Sequence, residues 1–174
     1  MRMRDKNNGA MHQLGMTLIE MITSLAILAL VIGGALALFN SASISQRSMQ
    51  MNSDLNSVRT AVQVVYFGQK GYGTAANLNS VLIAGKRIPS TMVIAGNVVT
   101  HAFNGTMTVI GNIQNFDVVL TNMPVSACLS ALSGANGWKQ VQVATGIIQT
   151  VLPISPSTAA TECAKGTTIT FSSN

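Results

Sequence analysis

The 174-residue chain is 48% hydrophobic and only 9% charged, well below the roughly one-quarter charged residues of an ordinary soluble domain. The length suits one domain plus an appendage. The formal charge of +5 is thinly spread: Arg2, Arg4 and Lys6 precede the first apolar run, and from Met16 onward seven Lys/Arg face Glu20, Asp54, Asp117 and Glu162. With no basic run and no interleaved aromatic platform, nucleic-acid binding has little support.

The first predicted element is apolar. Met16 to Phe39 carries a single charge, Glu20, and a helix of this length crosses the roughly 30 Å core of a bilayer. The cationic flank before it predicts a cytoplasmic N-terminus and an exported remainder. A secretory signal with a small-residue site at Ala35-Leu36-Ala37 is the first alternative, but the run exceeds the usual 7–15 residues of such a core. A permanent single-span anchor is the second. Neither gives Glu20 a purpose. A cut between Gly15 and Met16 does, because the new ammonium at Met16 lies one helical turn from the Glu20 carboxylate, near the positive end of the helix dipole. A buried charge is tolerable when paired. Pairing within a chain, or between neighbouring copies, fixes an axial offset in an assembly.

The helical period continues past Phe39. Ile44, Met51, Leu55, Val58, Val62 and Val65 form one apolar stripe, so a single helix is expected over residues 16–67, apolar all round in front and amphipathic behind. Its front cannot be buried in its own small domain and must enter a membrane or a bundle of copies. Gly33-Gly34 is its weak point, each glycine costing about 1 kcal/mol relative to alanine. It reads equally as a close-packing site or as a segment able to unwind.

Gly68 to Gly73 ends the helix. Its G-x-x-G-x-G spacing is no nucleotide fingerprint, since it follows a helix rather than a strand. A short helix is expected over Thr74–Ala84, capped by Thr74 and stopped by Gly85, then an exposed loop, Lys86-Arg87-Ile88-Pro89. From Thr91 the pattern turns β-branched, with strands expected at Met92–Ile94, Val98–Phe103, Thr106–Ile110 and Phe116–Leu120. Asn104-Gly105 signals a hairpin. Pro124 opens a short helix, Val125–Leu132. Strands at Trp138–Ala144 and Ile147–Leu152, a helix from Pro156 to Cys163 and a strand at Thr167–Phe171 complete the chain. In an exported domain, Cys128 and Cys163 are expected to form one disulfide, ahead of two buried free thiols; two distant cysteines are too few for zinc.

No catalyst emerges. His12 lies in the leader, and His101, alone in a predicted strand, reads as a surface or satisfied residue rather than a base. Asp54, Asp117 and Glu162 are far apart and have no metal spacing; Asp54 and Arg59 are expected on the solvated face of the long helix. No serine sits in a nucleophile motif, and no cofactor is implied. Trp138 is left open between core and surface.

Gly15-Met16-Thr17-Leu18-Ile19-Glu20, behind a short basic leader and ahead of an apolar helix, resembles the prepilin signature of type IV pilins. The resemblance implies a membrane peptidase that cuts after Gly15, methylates Met16 and leaves Glu20 for filament assembly. A mature chain beginning with Met rather than Phe looks like the type IVb branch. Tyr66-Phe67-Gly68-Gln69, Ala127-Cys128-Leu129-Ser130 and Ala159-Ala160-Thr161-Glu162-Cys163 are similar to segments of bundle-forming, toxin-coregulated and conjugative thin-pilus pilins. There a C-terminal disulfide maps to Cys128 and Cys163, and the helix is known to melt, which makes unwinding at Gly33-Gly34 plausible. The implied fold is α+β, a long N-terminal helix packed on a C-terminal antiparallel sheet head: leader 1–15, helix 16–67 with residues 16–39 as membrane and filament-core part, head 68–174. The implied role is structural and not enzymatic, with copies of itself, the prepilin peptidase, an inner-membrane assembly platform and, before assembly, the membrane as partners. The precursor would sit in the inner membrane of a Gram-negative bacterium with a periplasmic head, and end in an extracellular pilus serving adhesion, aggregation or conjugative contact. A minor pilin or type II secretion pseudopilin shares the N-terminal features, and a secreted or anchored non-polymerising binding domain is the alternative of another class.

Overall fold

The computed structural model describes residues 17–174. The expected leader 1–15, its His12, and the cleavage pair Gly15 and Met16 lie outside the described residues. A first helix, α1 (Leu18–Val65), opens the described chain. The chain divides into two compact units at Asn40/Ser41.

In the first unit the helix is apolar on all sides. Leu18, Ile19, Leu25, Leu30, Val31, Leu36, Leu38 and Phe39 are all more than half exposed. Its few hydroxyls are self-contained. Thr23 Oγ1 donates to the Glu20 carbonyl at 3.0 Å and Ser24 Oγ to the same oxygen at 2.8 Å, so they carry no unmet donor into an apolar medium.

In the second unit, the amphipathic part of α1 contributes Met51, Leu55, Val58 and Val62, each at most 2% exposed. These are the stripe positions the period predicts, and full burial of each is worth about 1.5–3 kcal/mol. They share one core with a seven-stranded sheet. In chain order the elements are β1 (Ala76–Asn77), α2 (Asn79–Ala84), β2 (Val93–Ala95), β3 (Val98–Thr100), β4 (Thr106–Gly111), β5 (Phe116–Leu120), α3 (Val125–Ser133), β6 (Gln140–Val143), α4 (Pro156–Cys163) and β7 (Ile169–Ser173). The sheet order is β2-β3-β4-β5-β7-β6, with β1 also on β4, and every pairing is antiparallel. Period-2 alternation sends Met107, Val109, Phe116, Val118, Leu120, Ile169 and Phe171 into the core. The helix-plus-antiparallel-sheet expectation is met.

Several local readings are corrected. Residues 74–78 are not helical: Ala76 and Asn77 pair with Gly111 and Ile110. The Asn77 side chain accepts the Asn79 N–H at 2.9 Å, an Asx turn that delays the helix. Asn79 is itself buried, donating to the Met107 carbonyl at 2.9 Å and accepting from the Val109 N–H at 2.9 Å, so its side-chain amide substitutes for a strand residue. Gly85 stops α2 as expected, as its C-cap at φ −76°, and Lys86 follows in the left-handed position at φ 53°.

Ile147–Leu152 is no strand. After the turn closed by Gly146 N–H to the Val143 carbonyl, the returning chain meets β6 only at Val141↔Gln149. Ile147 and Val151 stay 70% and 83% exposed. Asp54 is not on the solvated face. It is 3% exposed and accepts from Gln50 Nε2 at 2.9 Å and Thr91 Oγ1 at 2.8 Å.

The hairpin at Asn104-Gly105 joins β3 to β4, but β3 ends at Thr100, and His101 N–H to the Gly105 carbonyl closes a wider turn. Only glycine fits at 105: a Cβ there would sit 1.8 Å from the Thr121 carbonyl oxygen.

Candidate functional site

Glu20 lies in the first turn of α1 and is exposed. Thr17 caps that turn: Glu20 N–H reaches the Thr17 carbonyl at 3.0 Å and Thr17 Oγ1 at 3.4 Å. Thr17-x-x-Glu20 is thus the backbone half of a capping box, a signal present in the sequence and overlooked there. The carboxylate itself has no hydrogen bond or ion pair among the described residues. It stands at the positive end of the helix dipole, available to a cation from outside.

Gly33 and Gly34 lie within unbroken α1, exposed, and a Cβ built on either meets nothing within 4 Å. Neither glycine makes a close packing contact among the described residues. The surrounding helix is long and apolar enough to cross a membrane.

In the second unit, Cys128 on α3 and Cys163 on α4 form a disulfide across 35 residues, with Cα atoms 5.9 Å apart. Both are buried. Pro124 opens α3, and Ser155 caps α4, its hydroxyl accepting from Thr158 N–H at 3.3 Å. The bridge ties together two short helices that would be marginal alone.

The buried and half-buried ionisable groups His101, Asp117, Glu162 and Arg59 are structural. His101 is 3% exposed; Nε2–H donates to the Thr121 carbonyl at 2.9 Å and Nδ1 accepts from Phe103 N–H at 3.3 Å. Burial holds its pKa below the ordinary 6.5, partly offset by the Thr121 carbonyl. Asp117 accepts from Asn112, Asn115 and Ser172. Glu162, 4% exposed, pairs with Lys165 Nζ at 2.6 Å. Arg59 is not solvated as expected: its guanidinium covers Trp138, which is 7% exposed and part of the core. No group of three His, Cys, Asp or Glu among the described residues could hold a metal ion.

The model for the prokaryotic N-terminal methylation motif matches residues 10–36, and that for the PilS N-terminal family matches residues 45–174. No curated protein matches the chain. Among solved structures, the chain is similar to TcpA, a type IV pilin from Vibrio cholerae El Tor biotype, at 14% identity and a TM-score of 0.54, covering 74% of this chain and 99% of that one. The long apolar helix, the disulfide-clipped antiparallel head and a family match over most of the sequence converge: this chain belongs to the PilS family and is a type IV pilin of the IVb-like kind.

Proposed function

We propose that the chain is the repeating subunit of a type IVb pilus, held in the inner membrane as a precursor, trimmed by prepilin peptidase between Gly15 and Met16, methylated at Met16 and polymerised by an assembly platform into a helical surface filament. The observation that carries this reading is the apolar surface of Leu18–Phe39, exposed on every side and interrupted by one unpartnered carboxylate, Glu20. Such a surface needs lipid before assembly and other helices after it, since each exposed Leu or Ile gains about 1.5–3 kcal/mol on burial. Heterologous contacts that do not close into a ring give an open filament. The ammonium created at Met16 is the cation for Glu20, in the same chain or the next. Its role is to build rather than catalyse; adhesion, aggregation or conjugative contact follows from the filament.

Mass spectrometry of filaments sheared from cells tests this. The expected result is a filament made mainly of this chain, beginning at an N-methylated Met16. A chain beginning at Met1 or Leu38, or found only as an unpolymerised species, overturns it.

A further inference from the structure

An open concavity of the second unit, about 650 Å³, runs between the exposed side of α1 and the turn after α2. Ser53, Asn56, Ser57 and Thr60 form its helical wall, spaced i, i+3, i+4, i+7 on one face. Lys86 and Arg87 stand across from them. We propose that this groove binds an acidic sugar, the two cations holding its carboxylate and the helical wall holding its hydroxyls.

Three observations carry this. First, Lys86 stands where a glycine would fold better. The α2 terminus is a Schellman arrangement, with Lys86 N–H on the Ile83 carbonyl at 3.0 Å and Arg87 N–H on the Leu82 carbonyl at 2.8 Å. Lys86 takes the left-handed position at φ 53°, where glycine is the low-cost residue, although a glycine sits one position earlier. The strained backbone keeps a cation at the groove.

Second, neither Lys86 nor Arg87 has a side-chain hydrogen bond or ion pair among the described residues, and the unit has no exposed acidic side chain to offer them. Asp54 and Glu162 are buried and partnered, and Asp117 is half-buried under three donors. A second copy's head therefore brings no free acidic side chain either, and charge complementarity points to an external anion.

Third, the wall is suited to a sugar rather than to phosphate. The Ser57 hydroxyl donates to the Ser53 carbonyl and the Thr60 hydroxyl to the Asn56 carbonyl, both at 2.9 Å, which leaves their oxygens as acceptors. Acceptors fit ligand hydroxyls and repel a phosphate dianion, while the Asn56 amide remains a donor.

The test is calorimetric titration of the full chain in a neutral detergent with sialyllactose, with lactose as uncharged control and inorganic phosphate as competitor. Expected are saturable sialyllactose binding, lactose binding weaker by about tenfold or more, and no displacement by equimolar phosphate. The double variant Lys86→Gly/Arg87→Gln should lose about tenfold in affinity with an unchanged or raised Tm, because glycine relieves the left-handed strain. Thr60→Val, which removes the hydroxyl and with it the free acceptor oxygen while keeping the side-chain volume, should also weaken binding. Equal affinity for lactose, effective competition by phosphate, undiminished binding by the folded double variant, or no saturable binding would each overturn the proposal.

Discussion

The guanidinium carbon of Arg59 lies 5.5 Å from the centre of the Trp138 ring, and Nη1 donates to the Asn136 carbonyl at 2.8 Å. One side chain of α1 thus closes the lid of an aromatic group that runs through Trp138 to Phe116 and Phe171. Arg59→Ala should destabilise the head by about 1–3 kcal/mol, from the lost cation–π contact and charge-assisted hydrogen bond. Because Trp138 is the single tryptophan, its emission should shift to the red as the ring is uncovered. Arg59→Lys should not restore the wild-type value, since an ammonium lacks the planar fork; thermal melts followed by tryptophan fluorescence check both.

Acid should weaken the head through His101. Its folded-state pKa is lowered, so between the ordinary 6.5 and the lower folded value the unfolded chain takes up a proton that the folded one refuses. Stability is then present above about pH 6.5 and falls as pH drops, with a slope of at most about 1.4 kcal/mol per pH unit. Protonation would set an Nδ1–H against the Phe103 N–H. Denaturant unfolding between pH 7.5 and 5 should show that slope in the wild type and a flatter one in His101→Gln, over roughly this range.

Long periodic elements were legible in the sequence because many side chains vote for them. The α1 stripe and strands β4 and β5 follow from spacing alone. What escaped depends on single polar side chains bonding across the chain. Asn79 replaces a strand partner, and Asp54 turns inward because Thr91, distant in sequence, supplies a hydroxyl. Periodicity also misled at Ile147–Leu152, where apolar residues stay exposed. Of the candidate site, the cysteine pair and the isolation of Glu20 in an apolar run were readable. The Lys86 turn was not, since a left-handed lysine contradicts its own propensity.

Removing the bridge should loosen α3 and α4 together. On the chain-entropy model a 35-residue closure is worth about 4 kcal/mol, and Cys128→Ser or reduction should lower Tm accordingly. Early proteolysis should fall between residues 144 and 165, read by limited digestion. A reduced protein that melts with the oxidised one would show the bridge to be idle.

Glu20→Ala should leave trimming between Gly15 and Met16 largely intact yet abolish filaments, because the new ammonium loses its mate. Immunoblots for precursor and mature forms beside electron microscopy separate the two steps. Gly15→Leu should do the reverse and stop maturation, as the peptidase is expected to need a residue without a side chain there.

Gly33→Ala/Gly34→Ala should stiffen α1 by about 2 kcal/mol of helix propensity without a clash inside the subunit, since nothing lies within 4 Å of either new methyl. If local unwinding accompanies entry into the filament, piliation should fall while membrane levels of the subunit hold. Normal piliation would remove unwinding from the mechanism.

The position of β7 bears on how such a subunit is made. Although it follows every other strand in sequence, it is hydrogen-bonded on both sides, to β5 through Phe116↔Ser173 and its neighbours and to β6 through Val143↔Ile169. Until residues 169–173 are in place, β5 and β6 therefore present two raw strand edges. Those edges are open to wrong pairing and to chaperones, and a chain nicked just ahead of residue 169 is left with an unfilled slot in mid-sheet rather than a trimmed margin.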